Sequence, residues 1–98
     1  MENNRLQLAG MLTQCNSLRY TPAGVPLLEC RISHESEQIE AGGERQVKVA
    51  IAAVAIGELA HQLSRLKLAQ PLHVTGFLAQ KSQNSQHIVL HICSLENI

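Results

Sequence analysis

The sequence predicts a mainly β fold, a five-stranded barrel with one short helix between the third and fourth strands. Three observations carry this expectation. Apolar and polar residues alternate with period two in five separate runs, the mark of strands with one buried and one solvated face. The period changes once, after Val54, to the three- and four-residue spacing of an amphipathic helix. Polar or Gly- and Pro-bearing stretches separate the runs and break regular structure between them.

The first strand spans Arg5–Thr13, where Leu6, Leu8, Gly10 and Leu12 alternate with Gln7, Ala9, Met11 and Thr13, and Gly10 is expected to mark a bend or bulge. Arg19 to Pro26 supplies a turn: Pro22 fixes φ and Gly24 is free to take positive φ, which closes a hairpin. The second strand, Leu27–Glu35, sets Leu28, Cys30, Ile32 and His34 on one face and Leu27, Glu29, Arg31 and Ser33 on the other. Ser36 to Gly43 is acidic, ends in Ala-Gly-Gly and reads as a flexible loop. The third strand covers Glu44–Ala53, with Val47, Val49 and Ile51 against Gln46, Lys48 and Ala50. Ile56, Leu59, Ala60, Leu63 and Leu66 then recur at helical spacing for about three turns, until Ala69-Gln70-Pro71 stops the helix.

The last two strands flank a polar loop. Leu72, Val74, Gly76 and Leu78 alternate with His73, Thr75, Phe77 and Ala79; beyond the loop, Ile88, Leu90 and Ile92 alternate with His87, Val89 and His91. Between them Gln80–Gln86 holds no apolar residue and one cation, Lys81, so it is expected to project into water as a long hairpin tip.

Ninety-eight residues fit one domain, residues 1–98, near the small end of the range in which one core supports a fold. Tyr20 and Phe77 are the only residues of the Phe, Tyr and Trp class, so burial falls to Val, Leu, Ile and Ala, and a function built on stacking is weakened. A formal net charge of zero argues against holding a polyanion by bulk electrostatics. The charge is uneven, however: Met1–Glu44 carries three cations against six glutamates, minus three, and Arg45–Ile98 carries five against two, plus three. A basic face therefore remains open to the chain. Cys15, Cys30 and Cys93 are odd in number, lack CxxC spacing and fall in or beside strand-like runs, so they are expected to be reduced, structural and hydrophobe-like. The amino terminus has no apolar signal segment and no run approaches the length that spans a bilayer, which points to a cytoplasmic protein with no membrane partner.

Catalytic signals are missing. There is no GxSxG elbow, phosphate-binding Gly-rich loop or HExxH, so neither enzymatic activity nor a cofactor is expected. His87 and His91 have ligand-like spacing, but four residues along a strand separate them by about 13 Å, too far for one metal ion. Both read as surface or half-buried histidines.

Three strands, a helix and two strands is the element order of the oligonucleotide/oligosaccharide-binding (OB-fold) barrel. Its working surface lies on strands two and three and on the loops joining strands one to two and four to five. Other small barrels and α-plus-β domains share that order. The residues go further. Asn4-Arg5-Leu6 with Ala9-Gly10, Pro22-Ala23-Gly24-Val25-Pro26, His34-Glu35-Ser36, Glu40-Ala41-Gly42, Arg45-Gln46, Val74-Thr75-Gly76-Phe77-Leu78 and Val89-Leu90-His91, in this order and spacing, resemble the bacterial primosomal replication protein N family, PriB. That family is in turn similar to the bacterial single-stranded DNA-binding proteins. The resemblance covers nearly the whole chain. It implies a homodimeric OB barrel without catalytic activity that binds single-stranded DNA and joins the replication-restart helicase PriA in a primosome, with DnaT as a further partner. It also implies DNA contacts from the sheet around strands two and three and from a lysine-bearing loop, here Gln80–Gln86.

The chain departs from better-known members at that surface. Lys48 stands where they carry Trp, Gly43-Glu44 replaces an aromatic before Arg45, Glu35 replaces a basic residue after His34, and Lys81 alone remains of several loop lysines, with Gln83 and His87 near the others. A stacking platform is lost, and weaker or differently arranged binding is expected. The candidate surface is Arg19 and Tyr20 from the first hairpin, Arg31, His34, Arg45 and Lys48 from the middle strands, and Lys81 with His87 from the long loop, Lys48 and Arg45 sharing the contact with the loop. Each cation reads equally as an ordinary solvated charge. Tyr20 suits a barrel cap or dimer contact as well as a stacked base, and Phe77 reads as core or interface. Two functional classes follow: a DNA-binding accessory protein of replication restart, or an adaptor whose main ligand is the helicase and whose DNA binding is weak.

Overall fold

The computed structural model describes residues 3–97. Its elements are β1 (Leu6–Cys15), β2 (Arg19–Tyr20), β3 (Pro26–Glu40), β4 (Gly43–Ile56), α1 (Glu58–Ser64), β5 (Pro71–Gln80) and β6 (Ile88–Asn97). The five expected strands are β1, β3, β4, β5 and β6, and β2 is a two-residue strand pairing Arg19 with Leu27 and Tyr20 with Pro26. The sheet order β1-β5-β6-β4-β3 closes on itself through β1–β3 pairing, which makes a five-stranded barrel with β2 on its rim.

Closure depends on β1 serving two neighbours. Leu6–Met11 pairs with β5, and Met11–Cys15 pairs with β3, with a register shift between Leu12 and Gln14 where the strand changes partner. The bend expected at Gly10 thus falls later. Gly10 has a different role: a Cβ there would overlap the Ser33 carbonyl oxygen, so only Gly lets β1 and β3 approach this closely. On the far side β4 and β6 run parallel, with Ala53 opposite Leu90 and Val54 opposite His91.

The core follows the alternation. Leu12, Leu28, Ile32, Leu72, Val74 and Leu90 are buried inside the barrel, and Ala60 and Leu63 enter it from one face of α1. Burying each large aliphatic side chain contributes roughly 1.5–3 kcal/mol. The helix is shorter than its periodicity predicts. Gly57 precedes it without a side-chain cap, the Ser64 hydroxyl donates back to the His61 carbonyl (2.7 Å), and Arg65 and Leu66 bond only three residues back. These bonds tighten the chain into 3₁₀-type turns before a third α-turn forms.

The main correction concerns Ser36–Gly43, which is not a loop. β3 and β4 pair without a break from Leu27–Ile56 to Glu40–Gly43, and Ala41-Gly42 turns the ribbon with φ of 53° and 80°. Two successive positive φ values are the mark of a tight hairpin turn that matches strand twist. From Glu37 to Gln46 both faces of this arm are exposed. β6 also runs past Ile92 to Asn97. Its extension leaves Cys93 exposed, against the expectation of a buried thiol, while Cys30 is buried and Cys15 half-buried. Among the described residues no helix is long and apolar enough to cross a membrane.

Candidate nucleic-acid interface

The outer face of β3 and β4 forms the floor of an open groove. Strand parity puts Leu27, Glu29 and Arg31 on this face of β3, and register sets Ile56, Val54 and Ala52 opposite them on β4. The floor is therefore aliphatic, with Arg31 rising beside an alanine that cannot cover it. One wall comes from the end of β1 and from β2, which bring Gln14, Asn16 and Arg19; the other comes from the β5–β6 loop, which brings Lys81 and His87.

The loop is closed by its own hydrogen bonds. The Lys81 N–H donates to the His87 carbonyl (2.9 Å), the Ser85 N–H to the Ser82 carbonyl (3.1 Å), and the His87 N–H to the Ser85 hydroxyl (3.0 Å). Together these close the loop on itself and hold Lys81 and His87 at the groove edge. The charges are partly balanced. Arg19 donates from Nη2 to Glu29 Oε1, whereas Arg31 and Lys81 have no carboxylate partner among the described residues. Both are exposed, so they present uncompensated positive charge to a polyanion along an apolar floor.

Four of the eight candidate residues thus converge here: Arg19, Arg31, Lys81 and His87. The other four lie elsewhere. Arg45 and Lys48 sit on the β3–β4 arm, each facing a glutamate across the ribbon: Arg45 Nη1 donates to Glu40 Oε1 (3.1 Å), and Lys48 Nζ lies 3.8 Å from Glu35 Oε1. From Glu35 to Lys48 the arm carries four glutamates against two cations.

His34 braces the β1–β3 seam. Its Nδ1 lies 2.6 Å from the Ala9 carbonyl and its Nε2 2.8 Å from the Ser36 hydroxyl, to which Gln38 Nε2 also donates (3.0 Å). A carbonyl can only accept, so Nδ1 carries the proton, and in the neutral ring Nε2 accepts from Ser36. Tyr20 is 59% exposed, and its ring stands 6.5 Å from that of His61 on α1.

Cys30 also borders the groove. Burial, and secondarily the neighbouring Cys15 opposite it in the β1–β3 pairing, push its thiol up to about 12, so it stays neutral and packs as an apolar group.

Two residues outside the candidate list also stand here. His91 borders the groove, and its ring lies against that of Phe77 at 4.9 Å and 4°, a parallel stack on the outer face of β5 and β6. Phe77 is 39% exposed, which takes it out of the barrel core. Parity carried the signal: Phe77 is out of phase with Leu72, Val74 and Gly76, which face the core.

A family model described as "another single-strand binding protein family" matches residues 4–94. Replication restart protein PriB of Bordetella pertussis is 43% identical over 89 residues, covering 91% of this chain and 83% of that protein. The solved structure of the PriB protein of Ralstonia solanacearum superposes with a TM-score of 0.89 at 39% identity, covering 99% of this chain and 100% of that one. The wild-type single-stranded DNA-binding protein of Thermus aquaticus, 24% identical over 97% of this chain and 50% of its own, shares the fold with a TM-score of 0.76. The barrel closed by parallel β4–β6 pairing and the β3–β4 groove are set in a sequence of the same lineage: the chain belongs to the PriB family of replication restart proteins, within a wider family of single-strand binding proteins.

Proposed function

We propose that this protein is a single-stranded DNA-binding accessory protein of the replication-restart primosome, gripping the strand in the groove on β3 and β4. The observation that carries the reading is the convergence of Arg31, Lys81, Arg19 and His87 around an aliphatic floor in a chain of the PriB family. Arg31 and Lys81 take phosphates, Arg19 takes one when Glu29 yields it, and bases lie against Leu27, Val54 and Ile56. A duplex cannot present its bases to such a floor, so single strands are preferred.

The protein acts without catalysis or cofactor, in the cytoplasm, as a homodimer that brings DNA to the PriA helicase and to DnaT. One structural feature supports the dimer. Leu6–Leu8 of β1 is paired along one edge with β5, while β3 engages β1 only from Ala9, whose carbonyl meets His34, so a short length of strand edge is open to a second copy. Titration of a fluorescein-labelled thymidine oligonucleotide, followed by anisotropy, tests the reading. Saturable binding at low salt, competed by single-stranded and not by double-stranded DNA, is expected; absence of saturable binding would overturn it.

A second reading makes the protein chiefly an adaptor for the helicase. The pairing of Arg45 and Lys48 with glutamates on an arm of negative balance favours it, because two cations of the candidate DNA surface are already engaged. Helicase capture without DNA, compared with oligonucleotide affinity at the same salt, separates the two; capture that always requires DNA counts against the adaptor.

A further inference from the structure

The groove does not end at β4. Register continues its floor across the barrel in a single row on the outer face: Glu29 pairs with Val54, Val54 with His91, and His91 with Phe77. Val54, 8% exposed, thus links the groove to the aromatic pair by register. Beyond Phe77 the same level reaches the start of β1. Leu6 pairs with Gly76, and the Asn4 side chain prolongs that register by bonding both backbone groups of Leu78, donating from Nδ2 to the carbonyl (2.8 Å) and accepting at Oδ1 from the N–H (3.0 Å). Arg5 is thereby placed beside Phe77, and it is exposed.

We propose that Phe77, stacked on His91 and flanked by Arg5, is a base-stacking subsite that carries the single strand out of the β3–β4 groove and onto β5 and β6. An isolated exposed Phe would be ordinary. This one differs in three respects. Its ring is held by a parallel partner rather than left to rotate. That partner also borders the groove. Arg5 occupies the register position next to Phe77, from which a cation can reach the phosphate of the stacked nucleotide. Aromatic faces accept any base, so the subsite adds affinity without sequence preference. It supplies on β5–β6 the stacking that the aliphatic floor of β3–β4 lacks.

This inference rests on the single-stranded DNA reading above, and its test separates the two. The chain contains no Trp, so Phe77→Trp creates one fluorophore whose emission can be excited apart from Tyr20. Addition of an unlabelled thymidine oligonucleotide is expected to quench that emission in parallel with binding measured by anisotropy. Phe77→Leu, which keeps an apolar side chain on the sheet, is expected to weaken binding by about 5-fold or more, the loss of one stacked base. Circular dichroism checks that each variant folds. Binding by anisotropy with unchanged Trp emission, together with wild-type affinity for Phe77→Leu, would overturn the subsite and leave the groove standing; failure of the wild-type chain to bind would remove the reading beneath it.

Discussion

Removing the two uncompensated groove cations, Arg31 and Lys81, should cripple DNA binding while leaving the barrel intact. Both are exposed and neither has a carboxylate partner among the described residues, so Arg31→Ala/Lys81→Ala orphans no buried charge. Each phosphate contact on a single strand contributes about 0.7 to the slope of log K against log salt, or about 5-fold in affinity at 0.1 M salt. Losing two should weaken binding by about 25-fold there and reduce the slope by about 1.4. The control is Arg45→Ala/Lys48→Ala, which removes the same formal charge from the arm. Both arm residues face glutamates at more than 60% side-chain exposure, where such pairs contribute little and solvent screens the field. Affinity should then change by no more than about 2-fold, since charges beyond a Debye length of about 10 Å are largely screened. Anisotropy titrations of one labelled oligonucleotide over a salt series measure both. An arm variant as damaged as the groove variant, or a groove variant with an unchanged slope, would refute the placement of the interface.

Other consequences concern the frame. A Cβ at Gly76 would overlap the His91 carbonyl oxygen at the register shift between β5 and β6, so Gly76→Ala forces the two backbones apart. A loss of about 3 kcal/mol is expected, visible as a fall of more than 10 °C or so in Tm; a melting curve within a degree or two of wild type would contradict it. Ala41 holds a φ of 53° in the arm turn, a conformation that costs most side chains about 1 kcal/mol and Asn less. Ala41→Asn should therefore raise Tm by about 4 °C with DNA affinity unchanged. At pH 8 a thiol reagent should modify Cys93 at once, Cys15 slowly and Cys30 only on unfolding. The Cys30 thiol titrates higher in the folded chain than in the unfolded one. Its contribution to stability is accordingly complete below the ordinary thiol range and is lost as pH climbs from about 9 toward about 12. Denaturant midpoints for wild type and Cys30→Ala across that range should converge; parallel curves would contradict the assignment.

Alternation revealed the barrel because each barrel strand buries one face, as in Leu28, Cys30 and Ile32 against Leu27, Glu29 and Arg31. It could not reveal the arm. From Glu37 to Gln46 both faces meet water and cross-strand pairing is carried by backbone and by Glu–cation pairs, which leave no hydrophobic period to read. Nor could it show how the middle-strand cations are spread: register sets Arg45 opposite Gln38 and Lys48 opposite Glu35, out along the ribbon from Arg31. Lys81 and His87 were legible, since a polar seven-residue break between two strands has few places to go. For Phe77 the chemistry allowed core or interface, and only its phase against Val74 and Gly76 places it outside the barrel. The stack on His91 depends on cross-strand register, which the sequence does not contain.

The central claim is that this chain holds single-stranded DNA through a few groove cations. The most direct measurement is the affinity of the wild-type protein for a thymidine oligonucleotide from low to physiological salt. With Arg31 and Lys81 always engaged and Arg19 engaged when Glu29 releases it, two to three phosphates give a slope of about −1.4 to −2.1. Saturable binding with a slope in that range is predicted. A slope near zero, or no saturable binding at the lowest salt, would contradict the account.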